Sequence, residues 1–375
     1  MSAVGQTGRT SARFRLDSFK REQYVRFAVP PTPQTVGVPR RTGTAGKWTF
    51  LGGLLAILLT ATGCASTRPA EVDDWRYEAG RYSVSKPDVD YYSRWVIADI
   101  DKVVPLDDSN ASKLINADGE LIVNWPGYDE PVYHPVAYAS YALDAIHAFD
   151  LTGDEEYLRR ALGTAHALYA GATSVDENLW FEYPFDYAPR EDPARTLPAP
   201  WWSAMAQGQA MSVFVRLYER TGDEQWKAAA ERTFGTFTAL RKAEGPWIVD
   251  IDDAGLLWLE EYAGRNEPLH VINGHIYAMF GLVDYYEMTK DELALRLFRG
   301  GAETLVRSFD HWRVPNGLSY YCAAEFCTDG AWQPGSYHRG VAHQLSTLAA
   351  ITGDVQFSDM AALLLQDYAA SGSTG

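Results

Sequence analysis

Apolar positions recur at three- and four-residue steps through long stretches of this chain, and one short polar motif interrupts them at nearly constant intervals. Val136, Tyr138, Ala139, Leu143, Ile146 and Phe149, mostly at these steps, form the first stripe, and Tyr157, Leu158, Ala161, Leu162, Ala165 and Leu168 form the next. Between them lies Thr152-Gly153-Asp154. The motif returns as Thr221-Gly222-Asp223, Thr289-Lys290-Asp291 and Thr352-Gly353-Asp354, with steps of 69, 68 and 63 residues between the threonines. A long regular period marks a repeated supersecondary unit. Glycine suits the left-handed residue that ends a helix, and aspartate suits the N-cap of the next one. Glu156 and Glu224 then fall in the favourable first turn. Each unit therefore reads as a helical hairpin with a short turn.

The second hairpin pairs Met205–Arg220 with Asp223–Arg241, the third Ile276–Met288 with Lys290–Trp312, and the fourth Val341–Ile351 with Val355–Tyr368. First helices such as Met205–Phe214 and Ile276–Val283 are apolar on most faces. Second helices carry Lys227, Glu231 and Arg232, or Arg296, Arg299 and Glu303. An apolar inner ring inside an amphipathic outer ring predicts a mainly α fold, an α/α toroid of about four hairpins with short β segments, over residues 91–372. An open solenoid of the same hairpins is the alternative.

The N-terminal part reads differently. Lys47–Cys64 combines a basic flank, an apolar run and small residues before a cysteine, the pattern of a secretory signal. Ala61-Thr62-Gly63-Cys64 resembles a bacterial lipobox, which implies lipidation at Cys64, a signal peptide over 38–64 and a membrane-anchored place in the cell envelope. A plain signal peptide or a membrane anchor is the alternative. Residues 1–37 read as an over-called leader or a disordered segment, with translation starting near Val36 or Val38. Residues 65–90 read as a linker. Cys322 and Cys327 remain, and in an exported protein that spacing predicts a local disulfide. The net charge of −16 argues against a nucleic-acid partner, although net charge does not describe a cleft. There are 22 tyrosines and 12 tryptophans, enough to line a carbohydrate cleft as well as fill a core.

Before each predicted inner helix lies a segment rich in aromatic, His, Asn and Gln residues. In a toroid the starts of the inner helices meet at one end. Tyr133, His134, Trp201, Trp202, Gln207, Gln209, Asn273, His275, Tyr337 and His338 should therefore converge on one cavity, because polar groups this dense inside a core need partners or a ligand. Capping and packing roles are the alternative for each one singly.

Several of these strings resemble the D-glucuronyl C5-epimerases that act on heparan-type polysaccharides. They are Ser203-Ala204-Met205-Ala206-Gln207-Gly208-Gln209, Trp258-Leu259-Glu260-Glu261-Tyr262, Val271-Ile272-Asn273-Gly274-His275-Ile276-Tyr277 running to Asp284-Tyr285, and Tyr337-His338 with Gln344-Leu345. The likeness runs from about Asn124 to Tyr368. It implies a helical catalytic domain and a reaction that removes the proton on C5 of a uronate and returns one to the other face. That chemistry needs a base, an acid and groups that stabilise the carbanion. The resemblance implies that Glu261, Tyr262 and Tyr337 move the protons, with the two tyrosines facing each other across the sugar. It implies substrate contacts for Tyr320, and carboxylate-holding roles for Arg339, Arg265, Asn273 or His338. The partner would be an acidic polysaccharide, and the mechanism needs no cofactor or metal. The chain departs from the family pattern at Ala263, where proline is expected, and in Tyr320-Tyr321-Cys322, which lacks a following arginine.

Three other readings compete. A polysaccharide lyase begins with the same abstraction and could use Tyr337, His338 and His275. A glycosidase could pair Glu182 or Asp186 with Glu260 or Glu261. A non-catalytic glycan-binding lipoprotein would need no proton transfer at all.

Overall fold

A computed structural model describes residues 75, 81–87, 90–92, 121–125 and 127–373. Cys64, the signal-peptide stretch and the first 37 residues lie outside the described residues. In chain order the helices are α1 Pro135–Thr152, α2 Glu155–Ala170, α3 Ala204–Thr221, α4 Glu224–Phe234, α5 Ile272–Thr289, α6 Glu292–Trp312, the single turn α7 Glu325–Thr328, α8 Gly335–Thr352 and α9 Val355–Ala370. Two antiparallel β-hairpins, β1 Thr173–Val175 with β2 Asn178–Trp180 and β3 Val249–Ile251 with β4 Leu257–Leu259, sit between them. The architecture is the α/α toroid. α1 packs on α3, α3 on α5 and α5 on α8, while α2, α4, α6 and α9 back their own partners. Among the described residues no helix is long and apolar enough to cross a membrane.

The recurring motif forms each hairpin turn by one set of hydrogen bonds. The threonine hydroxyl donates to the carbonyl four residues back, from Thr152 to Ala148 and from Thr221 to Leu217 at 2.7 Å, and likewise in the other two copies. It then accepts the N–H of the aspartate two residues on. The aspartate caps the next helix by accepting the N–H of Glu156, Gln225, Leu293 or Gln356. Between them the chain turns through the left-handed region, at φ 69°, 67° and 70° for the glycines and 56° for Lys290.

Inner and outer helices differ as their patterns predict. Residues 204–217 of α3 and 272–285 of α5 are buried on every face. These two helices touch backbone to backbone. A Cβ on Gly208 would lie 2.6 Å from the Ala278 Cα, and one on Gly281 would lie 2.4 Å from the Gly208 carbonyl oxygen. Gly208 and Gly281 are there for this contact.

Three boundaries differ from the sequence expectation. α5 begins at Ile272 and α8 at Gly335, several residues early, because neither start carries a capping side chain that the sequence could advertise. Asn273, His275, Tyr337, His338 and Arg339 are therefore helical. α4 stops at Phe234, not near Arg241, where Gly235 presses against the Asn178 side chain and the chain tightens into a 3-10 turn.

The turn end of the toroid is covered by an N-terminal strap. Arg81 pairs with Glu303, the Ser83 hydroxyl donates to the Thr352 carbonyl, and Lys86 reaches Glu219 and Asp284. Further along, Tyr92 stacks on Tyr277 and meets Ser212. Arg216 lies under both strap tyrosines, bonding Asp284 at 3.0 Å and Asp90 at 2.7 Å, while the Tyr91 hydroxyl donates to Asp284. With one end closed in this way, the inner-helix starts at the other end are left for chemistry.

Candidate active site

At that other end, β4 runs directly into Glu260-Glu261-Tyr262. The Glu260 N–H donates to Ile248 and its carbonyl accepts from Ala204, the first residue of α3. Ala263 and Trp202 then exchange a pair of backbone hydrogen bonds. The buried Glu260 carboxylate closes the following loop on itself, accepting the N–H of Tyr262 at 3.0 Å and of His270 at 2.9 Å. His270 stands in the left-handed region at φ 56°, its ring stacked on Trp258 and bonded to Asp250 at 2.9 Å. Burial pushes the Glu260 carboxyl up in spite of His270 and the two N–H donors. The outcome is a rigid platform that presents Glu261 and Tyr262.

Beside them stands Tyr321. Its hydroxyl lies 3.0 Å from the Tyr262 hydroxyl and donates to Glu261 Oε1 at 3.5 Å. Its ring meets Tyr337 edge-on at 4.8 Å and packs on Trp332 at 4.2 Å. Tyr321 is held from three sides. Its carbonyl accepts from Ile272 at the start of α5, its N–H donates to Trp332, and the next residue, Cys322, is joined to Cys327 by a disulfide. Glu261 leans on Gly274, where a Cβ would lie 2.2 Å from Oε2, and Oε2 has no partner among the described residues. Burial pushes the Glu261 carboxyl up to about 8, aided by the Glu260 charge and opposed by hydrogen bonds from Tyr262 and Tyr321. Burial first, and then the Glu261 charge, hold both tyrosines well above the ordinary phenol range. The set is a hydrogen-bonded chain, Tyr262–Tyr321–Glu261, whose carboxyl end can gain or lose a proton near neutral pH.

Aromatic rings wall one side. Tyr183 stacks on Trp201 at 3.7 Å, and Tyr187 stacks on Tyr262 at 5.1 Å. A groove lined by Pro189, Arg195, Leu197, Tyr262 and Asn266 opens next to Tyr262. Among the described residues no group of three or more His, Cys, Asp or Glu is placed to hold a metal ion.

The sequence-predicted residues divide. Glu261, Tyr262 and Tyr337 come together around Tyr321. Six of the others bond the scaffold instead. Gln207 is fully buried, accepting from Phe181 and donating to Leu179 and Thr236, and Gln209 accepts from Ser140. His275 accepts from Leu259 at one ring nitrogen and faces the Gly301 carbonyl with the other. His338 does the same between Ser319 and Leu364. Burial lowers both imidazoles, to about 4 for His275, so they stay neutral struts. Tyr133 donates to Leu168, and His134 caps α1 through the Ala137 N–H with its pKa pushed down by burial to about 4. Arg339 lies over the Tyr368 ring and Trp202 meets Trp180 edge-on. Asn273 is buried at 2% exposure with its side-chain oxygen unpaired, so it retains capacity for a ligand. Tyr320 bonds Trp312 through its N–H, whereas its neighbour Tyr321 is the centre of the cluster. The Tyr320-Tyr321 pair was the only signal for it. Tyr183, Tyr187 and Gly274 were also missed.

The chain resembles known proteins. A family model described as D-glucuronyl C5-epimerase C-terminus matches residues 175–364. The D-glucuronyl C5-epimerase of Caenorhabditis elegans is 29% identical over 187 residues, covering 46% of this chain and 30% of that protein. Uncharacterized protein MJ1128 of Methanocaldococcus jannaschii is 29% identical over 178 residues, covering 45% of this chain and 56% of that protein. The chain thus spans less than two thirds of the length of these curated relatives. Among solved structures, the cellobiose 2-epimerase of Spirochaeta thermophila is similar at a TM-score of 0.47 and 16% identity, covering 68% of this chain and 64% of that one.

Proposed function

This chain belongs to the D-glucuronyl C5-epimerase C-terminus family, and we propose that it inverts C5 of D-glucuronate residues to L-iduronate in a heparosan-like or glucuronan-like polysaccharide. The observation that carries the reading is the Tyr262–Tyr321–Glu261 hydrogen-bonded chain with Tyr337 against it. The C5 proton is acidified by the adjacent carboxylate. A tyrosine can accept it only if its own phenolic proton has somewhere to go. Here that proton moves from Tyr262 through Tyr321 to an ionised Glu261, so no free phenolate has to persist in a buried site. Tyr337, whose ring meets Tyr321 edge-on, gives its phenolic proton to the opposite face and is reprotonated as Glu261 gives up the proton it received, so the site resets. A carboxyl with a pKa near 8 suits this role, since it exchanges its proton at little cost close to neutral pH.

Two competing readings lose support. The lyase reading drew on Tyr337, His338 and His275, and of these His275 and His338 have both ring nitrogens engaged by the scaffold. The glycosidase reading paired Glu182 or Asp186 with Glu260 or Glu261, and the two oxygens of Glu260 hold backbone N–H groups, which leaves it Glu261 alone.

The test is NMR of glucuronan or heparosan incubated with the protein in heavy water. Deuterium at C5 without an unsaturated product is the expected result, and Tyr262→Phe should slow exchange by about 10²–10⁴-fold. Folded protein giving no exchange on either polymer would remove the reading. We further propose that the mature chain is lipid-anchored at Cys64 in the cell envelope; mass spectrometry of the mature N-terminus, finding either a diacylglycerol-modified Cys64 or an unmodified chain, decides this.

A further inference from the structure

Beyond the tyrosine cluster, the groove beside Tyr262 is lined by Arg195, and Arg190 lies close by over the same Phe326 ring. We propose that Arg195, flanked by Arg190, forms a subsite for the carboxylate of a neighbouring acidic residue in the bound polymer. The proposal rests on the uronate-polymer reading above.

Arg195 lines the groove together with Tyr262, so the two residues share one open space. Its guanidinium lies over the Phe326 ring at 5.2 Å, and Arg190 lies over the same ring at 6.0 Å and over Trp332 at 5.9 Å. The two cations thus meet on one aromatic residue inside the disulfide loop that follows Tyr321. Stacking occupies the faces of a guanidinium and leaves its N–H edges free. Arg190 uses one edge to bond the Gly330 carbonyl at 2.9 Å. Arg195 has no carboxylate or other hydrogen-bond acceptor for its side chain among the described residues.

Two of the nearby acids are already engaged. Asp192 caps the turn at Ala194, and Glu267, on the groove wall, pairs with Arg241 at 2.6 Å. Glu191, next to Arg190, is exposed. The backbone under Arg195 is fixed by Asn266, whose side-chain amide donates to the carbonyls of Arg195 and Thr196 at 2.8 and 3.0 Å. Asn266 lies in the loop that Glu260 closes, so the arginine and the proton-transfer residues are held in one frame. A pre-oriented guanidinium edge matches a carboxylate with two parallel hydrogen bonds. In a chain of net charge −16, a place where arginines lack acidic partners is where an acidic polymer can dock.

Calorimetry with glucuronan and with carboxyl-reduced glucuronan tests this. The wild-type protein should bind the acidic polymer at least about tenfold more tightly, with the difference shrinking as salt rises. In the Arg190→Gln/Arg195→Gln double variant the preference should fall to within about twofold at an unchanged melting temperature. A folded double variant that keeps the preference overturns the proposal, as does a wild type that binds both polymers equally. Should the double variant not fold, arginine modification of the wild type by phenylglyoxal decides. Arg195 should be protected by glucuronan and not by the reduced polymer, and equal labelling in both overturns the assignment. Neither measurement involves turnover, so a missing C5 exchange would count against the epimerase reading while leaving the subsite to these results.

Discussion

Glu261 is the residue on which chemistry and electrostatics meet. It is half-buried, leans on Gly274 because no side chain fits there, and is pushed by burial to a pKa of about 8. In the proposed mechanism the ionised form receives the proton from Tyr321. The rate of C5 exchange should therefore rise with pH through a limb near 8, and a pH–rate profile would show it. Glu261→Gln should abolish that limb and lower the rate by about 10²–10⁴-fold, since an amide cannot take up the proton. A limb that survives in the Gln variant would transfer the role to another group. The same raised pKa disfavours the folded state at high pH. The carboxyl holds its proton when folded and releases it when unfolded, so stability is fully present below the unfolded pKa and declines as pH rises through about 8. At this scale the sequence was partly legible. The Glu-Glu-Tyr string is contiguous and carries its own signal. Tyr321 hides beside Tyr320, and only pairing with Trp332 and α5 determines which of the two rings turns to Glu261.

At the scale of elements, the hairpin turns were readable because every bond in them is local. Threonine to the carbonyl four back, aspartate to the N–H two ahead and a left-handed residue between are all reached within a few residues. The third copy breaks the pattern with Lys290, a residue with a Cβ held at φ 56° and offset only by an exposed contact with Glu287 and the Tyr286 ring. Lys290→Gly should stabilise the protein by about 0.5–1 kcal/mol, because relief of left-handed strain outweighs the greater freedom of glycine in the unfolded chain. Denaturant unfolding would measure this, and a loss of stability would mean that the Lys290 contacts matter more than the strain. Helix starts were less readable. Val271 and Pro334 cap nothing with their side chains, so α5 and α8 extend backwards into segments that composition alone marks as loop.

At the scale of the molecule, the strap over the turn end joins distant parts through one buried network. Arg216 and Asp284, 4% and 0% exposed, meet Asp90 and Lys86 from the strap. Burial alone would raise the Asp284 carboxyl, but Arg216 and Lys86 outweigh it and hold the pKa below the usual range. A depressed carboxyl contributes stability above its unfolded pKa and loses it as pH falls through the folded one. The stability this group contributes should thus be intact at neutral pH and fade below about pH 4. Arg216→Met should cost about 3–5 kcal/mol by leaving Asp284 and Asp90 buried with less compensation. Thermal unfolding at pH 7 checks the cost. A loss under 1 kcal/mol would show that Lys86 alone suffices.

The amino-acid sequence by itself determined the hairpins, their number, their turns and the apolar faces that build an inner ring, since each depends on residues close together in the chain. It also marked Glu261, Tyr262 and Tyr337 by their strings. Tertiary structure decided which polar residues are free to act. Gln207, His275 and His338 look like site residues in one dimension, but each has its hydrogen-bonding groups met by backbone or side chains from other elements, and Gln209 accepts from Ser140. Tyr321 comes to Glu261 from 60 residues away. Whether a buried polar group has a spare bond depends on neighbours that only folding brings near.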